Sequence, residues 1–133
     1  MQSPIMVTNV RILRPWEYAI LRSELSTDQQ IVSDSLLLTG MRYEELIRFR
    51  NASDWLDVES GTIHLPEWAM QKGRKLNRNV QRERFVRLSI RARGVIPNLF
   101  RVDVPGRVAF DQMLKRKAIK ARLKHEGFSP DGI

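Results

Sequence analysis

The chain has 133 residues, a formal net charge of +8 and a pI near 10.6, and this length allows one globular domain with a single core. No apolar run approaches the roughly 20 residues that cross a bilayer, and the first ten residues do not form a leader, so we expect a cytoplasmic protein with no membrane partner. The absence of cysteine excludes disulfides and thiolate metal sites, and His64 and His125 are too far apart to suggest zinc. We expect no metal and no cofactor.

The positive charge is concentrated in one part of the chain. Residues 1–70 carry 6 Lys/Arg against 10 Asp/Glu, residues 71–93 carry 9 against 1, and residues 94–133 carry 8 against 4. The middle segment alone therefore accounts for a net +8. Such a concentration indicates a polyanionic partner, because ordinary surfaces intersperse the two signs. The alternative to a polyanionic partner is that this segment is a solvated basic surface loop.

The first part of the chain predicts three helices in succession. Pro15 suits a first helical turn, and apolar residues recur after it at three- and four-residue spacing, which predicts a helix over about residues 15–26. A second helix follows a cap within residues 26–28 and loses its helical preference at Gly40. A third covers about residues 42–50. Gly40 therefore marks a corner between two helices.

The rest of the chain predicts a small sheet and a last helix. Thr62–Leu65 is a short β-like run stopped by a proline, and residues 84–89 (RFVRLS) alternate and pair with it antiparallel. A long basic connection, residues 69–84 (AMQKGRKLNRNVQRER), joins the two runs. Pro105 opens a final helix whose apolar face includes Val108 and which ends near Gly127. The predicted fold class is α+β: helices, then a small antiparallel β-hairpin sheet of two or three strands, then a C-terminal helix.

The octapeptide TGMRYEEL, residues 39–46, resembles the first conserved box of the tyrosine recombinases, the phage-type integrases. That box consists of an apolar helix, Thr-Gly, an apolar residue, Arg, two variable residues, Glu and Leu. The surroundings resemble the archaeal branch: RILRPWEY near the start, Trp-Leu-Asp at residues 55–57, then IHLP and a basic hairpin that closes on RERFVRLS. The resemblance covers nearly the whole chain.

The resemblance implies a role for Arg42. In this family a tyrosine attacks a DNA phosphodiester, and a planar guanidinium suits the charge that develops on the non-bridging oxygens. Glu45 would hold that guanidinium in orientation, and a solvent-facing acid is the alternative for Glu45. The alternative for Arg42 is a surface arginine that pairs with Glu44 or Glu45 on its own helix.

The basic hairpin would supply the general acid. By the resemblance Lys72 protonates the departing 5′ oxygen, and Lys75 is the competing candidate. Other cations of the hairpin are interpreted as DNA-binding contacts to backbone phosphates: Arg74, Lys75, Arg78, Arg82 and Arg84. A second set lines the same channel or forms a solvated helix face: Lys115, Arg116, Lys117 and Lys120.

The second box of the family and its nucleophile do not follow the hairpin. The only tyrosines are Tyr18 and Tyr43, in the first helix and inside the first box. We therefore expect residues 1–133 to form a single partial catalytic domain, inactive alone, that binds duplex DNA for site-specific recombination. Its protein partners would be a C-terminal recombinase half or other recombinase protomers.

Two further hypotheses differ in class. One is a non-catalytic basic DNA- or RNA-binding module that uses residues 71–93 without any phosphoryl-transfer chemistry. The other is an enzyme of another kind, which has little support because the sequence has no glycine-rich phosphate loop, metal cluster or Ser/His/Asp set.

Overall fold

A computed structural model describes residues 5–7, 10–12, 14–70 and 83–124 of the chain. The strands are β1 (Ile5–Val7), β2 (Val10–Ile12), β3 (Leu56–Asp57), β4 (Thr62–Leu65) and β5 (Arg84–Arg87). The helices are α1 (Pro15–Ser23), α2 (Thr27–Thr39), α3 (Tyr43–Arg50), α4 (Ile90–Leu99) and α5 (Arg107–Lys124). Two short 3-10 turns cover Ser53–Trp55 and Glu67–Met70. No helix of the described ranges is long and apolar enough to span a membrane.

The chain forms two compact units, and α2 runs from one into the other. The first unit comprises the described parts of Met1–Gln30 and Pro105–Ile133. It contains the antiparallel β1–β2 hairpin, and its helices α1 and α5 pack through a small apolar cluster. Leu21 of α1 lies against Ala118 and Ala121 of α5, where alanines allow close approach of the two helices.

The second unit, Ile31–Val104, contains α3, α4 and a three-stranded antiparallel sheet in the order β3-β4-β5. The register places Ile63 opposite Val86 and Leu65 opposite Arg84. Burial along β4 alternates, so Ile63 and Leu65 face the core and the other face of the sheet is open to solvent. The sheet therefore has one buried face, which fixes its register.

The core of the second unit joins this sheet to the helices. Leu46 and Phe49 of α3 are fully buried, together with Ile96 of α4. Phe49 packs edge-on against Phe100, with ring centroids 5.1 Å apart. The spacing of Leu46 and Phe49 places both on one face of α3, so the opposite side of that helix is free to carry polar groups.

The predicted α+β class is confirmed, with helices, a three-stranded antiparallel sheet and a C-terminal helix. Of the three candidate caps at residues 26–28, Ser26 caps α2, since its Oγ accepts the Gln29 N–H and the Gln29 side chain accepts the Ser26 N–H. Helix α4 and the β1–β2 hairpin were not predicted. Val108 was wrongly placed on the apolar face of the last helix, because it lies in the first turn of α5 and is 70% exposed. The predicted end of that helix near Gly127 lies outside the described residues.

Candidate functional site

The corner between α2 and α3 is an αL helix ending. Gly40 has a φ of +68°, and its N–H donates to the Leu36 carbonyl at 2.9 Å. The hydroxyl oxygen of Thr39 accepts the Met41 N–H at 3.2 Å, which closes the turn. A Cβ built on Gly40 would meet no atom within 4 Å, so the corner is open to solvent.

Arg42 is the N-cap residue of α3. Its backbone is extended, with φ −70° and ψ 154°, and its side chain is exposed. Within residues 14–70 and 83–124, no carboxylate pairs with its guanidinium. The ion pair with Glu44 or Glu45 that we considered as the alternative role of Arg42 is therefore not formed. A permanent cation stands beside the positive end of a helix, where the helix dipole gives it no stabilisation.

Glu45 lies one turn into α3 and is only 4% exposed. Its Oε1 accepts two hydrogen bonds, from the backbone N–H of Arg42 at 2.8 Å and from the guanidinium Nη2 of Arg84 at 3.1 Å. The alternative of a solvent-facing acid is excluded by this burial. Glu45 thus binds the backbone N–H of Arg42 and the guanidinium of Arg84. It does not bind the Arg42 guanidinium.

Arg84 is the first residue of β5 and its side chain is 32% exposed. Its Nη2 is bound to Glu45, and its buried Nε has no hydrogen-bond partner within the described part of the chain. The sequence predicts a phosphate contact for this residue. The structure places its guanidinium against a buried carboxylate on the core side of the sheet.

Helix α3 is bound to both ends of the basic connection. Before the connection, the Arg48 guanidinium donates to the Ala69 carbonyl at 2.6 Å. After it, the Arg84 guanidinium reaches Glu45. Ala69 and Arg84 therefore both contact the helix that Arg42 caps. This proximity of the two ends to α3 is the main spatial relationship in the candidate site.

Most of the predicted hairpin cations belong to residues 71–82, which are not among the described residues. The general-acid candidates and DNA contacts that lie outside the described residues are Lys72, Arg74, Lys75, Arg78 and Arg82. The second predicted set belongs to α5 in the first unit, and all but one of its members are exposed: Lys115, Arg116, Lys117 and Lys120. Lys115 lies 3.8 Å from Asp111 on its own helix, which is the geometry of a weak surface pair.

The two tyrosines of the chain lie on α1 and α3. Tyr43 is partly buried in the first turn of α3, and burial, together with the charge of the neighbouring Glu44, raises its pKa to about 12. Its phenol is therefore harder to ionise to the more nucleophilic phenolate than that of an ordinary tyrosine. Tyr18 lies on α1 in the first unit. Within the described residues, no three His, Cys, Asp or Glu side chains are grouped to hold a metal ion.

Two features of the site were missed at the sequence level. The Glu45–Arg84 pair and the Arg48–Ala69 hydrogen bond both join residues far apart in the chain. The sequence did contain a signal for the capping role of Glu45, because the pattern Arg-x-x-Glu also occurs at the start of α1. There the buried Glu17 accepts the Arg14 N–H at 3.1 Å, so the same local pattern caps both helices.

Comparisons with protein-family models, curated proteins and solved structures found no match for this chain.

Proposed function

We propose that this chain binds duplex DNA and supplies Arg42 to the scissile phosphate of a tyrosine-recombinase-type strand-transfer site, as the first part of such a catalytic domain. The observation that carries the proposal is the exposed Arg42 guanidinium, which has no partner among residues 14–70 and 83–124 and stands at the N-terminus of α3. Such a guanidinium beside the positive end of a helix offers two adjacent sources of positive charge to one anion.

The chemistry of phosphoryl transfer favours this arrangement. Charge accumulates on the non-bridging oxygens of the phosphorus in the transition state, and a planar guanidinium donates two parallel hydrogen bonds to them. A donor that is already in place does not have to be reorganised during the reaction. Glu45 supports this role, because its bond to the Arg42 backbone N–H fixes the start of the helix.

The connection that follows Ala69 would supply the remaining cations. Both of its ends lie beside α3, through the Arg48–Ala69 and Glu45–Arg84 contacts. In this proposal Lys72 protonates the leaving 5′ oxygen, with Lys75 as the competing candidate, and the neighbouring arginines contact backbone phosphates. In this proposal the nucleophilic tyrosine comes from another protein segment, since Tyr18 lies in the first helix and Tyr43 inside the first box, and the raised pKa of Tyr43 makes its phenol harder to ionise.

DNA-binding measurements on single variants test the proposal. We expect the protein to bind duplex DNA with an affinity that falls steeply with salt, and we expect Arg42→Ala to weaken binding about tenfold, as the loss of one charge-assisted hydrogen-bonding group does. Arg101→Ala is the matched control, since Arg101 is an exposed arginine of the same unit and its loss removes the same charge. Equal effects of the two substitutions would favour a generic basic module over the recombinase-type site.

Incubation with DNA alone tests the assignment of the nucleophile. A tyrosine attack would leave the protein covalently joined to a DNA end, and that adduct survives SDS. We expect no such adduct from this chain, because the nucleophile of the recombinases follows their second box, whereas Tyr18 lies in the first helix and Tyr43 inside the first box. An SDS-stable protein–DNA complex would overturn this part of the proposal, and Tyr18→Phe and Tyr43→Phe would show which tyrosine formed it.

A further inference from the structure

We infer that Arg84 is a positioning residue that acts on Arg42 through Glu45 and does not itself bind DNA. This inference rests on the proposed function, because it concerns how the same phosphate site is organised. One carboxylate oxygen of Glu45 accepts both the Arg42 backbone N–H and the Arg84 Nη2. The first residue of β5 is therefore linked by two hydrogen bonds, through Glu45, to the N-cap residue of α3.

Burial supports the positioning role over a direct contact. The carboxylate of Glu45 is almost wholly buried, and among the described residues Arg84 is the only cation that forms an ion pair with it. A buried carboxylate near a phosphate site would repel the phosphate, and the Arg84 guanidinium neutralises that charge. The buried Nε of Arg84 points away from solvent and is not offered to a polyanion on the surface.

The arrangement also makes the orientation of Arg42 depend on the pairing of β4 with β5. When β5 pairs with β4, Arg84 is opposite Leu65 on the buried face, and its guanidinium then reaches Glu45. Loss of that strand pairing would remove the cation from Glu45. The start of α3 would then keep only its local contact with Glu45. Phosphate binding at Arg42 is thus linked to the pairing of β5 with β4.

The test includes one substitution, Glu45→Ala, whose electrostatic and positioning effects have opposite signs. Glu45→Ala removes a negative charge, which by charge alone raises the affinity for DNA. The positioning role predicts the reverse: Glu45→Ala and Arg84→Gln each weaken duplex binding by about the factor that Arg42→Ala does, roughly tenfold. In the Arg42→Ala background neither substitution weakens binding further. Glu45→Gln and Arg84→Lys, which keep an acceptor and a cation respectively, restore part of the affinity.

Glu17→Ala is the matched control for lost folding. Glu17 is also a buried carboxylate that accepts the backbone N–H of an arginine at a helix start, but it lies in the first unit. We expect it to leave DNA affinity within about twofold of the parent after correction for the folded fraction. Hydrogen exchange of the Arg42 amide gives a second readout, which we expect to accelerate in Glu45→Ala and Arg84→Gln and to recover in Arg84→Lys.

The outcomes separate this inference from the proposed function. If Arg42→Ala weakens binding but Arg84→Gln adds its own loss in the Arg42→Ala background, Arg84 binds DNA directly and the positioning role is overturned. If Glu45→Ala strengthens binding, the positioning role is likewise overturned while the role of Arg42 stands. If Arg42→Ala behaves like Arg101→Ala, the proposed function fails and the inference fails with it.

Discussion

The carboxylate of Glu45 and the guanidinium of Arg84 are joined at 3.1 Å across 39 residues of sequence. The pair links the first turn of α3 to the first residue of β5, and it is buried on the Glu45 side. Because the same oxygen also holds the Arg42 N–H, the contact connects the helix start that carries the proposed phosphate ligand to the edge of the sheet. Arg84, at the start of β5, is thereby linked through Glu45 to the helix start at Arg42.

We predict that Arg84→Met lowers the free energy of unfolding by about 2 kcal/mol. The substitution keeps much of the aliphatic bulk but leaves the carboxylate of Glu45 buried without its cation, and the partial exposure of Arg84 moderates the cost. Urea unfolding measures the change. Arg87→Met is the control, since Arg87 is an exposed residue of the same strand. The same loss in both variants would show that the Glu45–Arg84 pair does not stabilise the fold.

We predict that Gly40→Ala destabilises the protein by about 1 kcal/mol. Gly40 adopts a φ of +68°, which an alanine reaches only with strain, although the space around it is free. Gly94→Ala is the matched control, because Gly94 lies inside α4 and a Cβ there also meets no atom within 4 Å. We expect this control to stabilise the protein slightly, as alanine does in helices. Thermal unfolding compares the two, and a stabilising effect of Gly40→Ala would contradict the role of the corner.

The local elements were largely predictable from the sequence. Pro15, the Ser26 cap and the glycine at residue 40 each act on a few neighbouring residues, so the boundaries of α1, α2 and α3 follow from local chemistry. The pairing of β4 with β5 followed from their alternating patterns. Helix α4 was missed because it contains Gly94 and Pro97, which are poor helix formers. Its stability comes from the burial of its apolar side against the core.

The organisation of the site was less predictable. The position of Arg42 at a helix start follows from the glycine before it, so that part of the candidate site was readable from sequence. The partner of Glu45 was not, because Arg84 is one of several arginines in a basic segment and nothing local distinguishes it. Only the register of β5 on β4 places it on the buried face. Tertiary contacts decide which cations face solvent, and composition alone cannot assign them.

We predict that Arg48→Met destabilises the second unit by about 1–2 kcal/mol. The Arg48 guanidinium donates to the Ala69 carbonyl at 2.6 Å, and its loss leaves that carbonyl without a charged donor. Arg91→Met serves as the control, because Arg91 is exposed on α4. Urea unfolding of the two variants gives the comparison. If Arg48→Met unfolds at the same urea concentration as the parent, the contact before the basic connection does not contribute to stability.

We predict that the stability of the protein falls between about pH 10 and about pH 12 through ionisation of Tyr43. Burial and the charge of Glu44 raise the pKa of Tyr43 from 10.0 to about 12 in the folded protein. Above the lower value the unfolded state loses the phenolic proton while the folded state keeps it, so the free energy of unfolding decreases as pH rises through this window. Below the window both states are protonated and the pH dependence from this group vanishes.

Tyr43→Phe isolates this contribution. The variant removes the ionisation without changing the ring, so we expect its unfolding midpoint in urea to fall less steeply than that of the parent from about pH 10 to about pH 12. Tyr18→Phe is the control for the other tyrosine. We expect it to keep the part of the pH dependence of the unfolding midpoint that comes from Tyr43. Identical pH profiles for Tyr43→Phe and the parent would contradict the raised pKa. They would also remove the electrostatic reason for excluding Tyr43 as the nucleophile, because a phenol with an ordinary pKa in the first turn of α3 would ionise more readily beside Arg42.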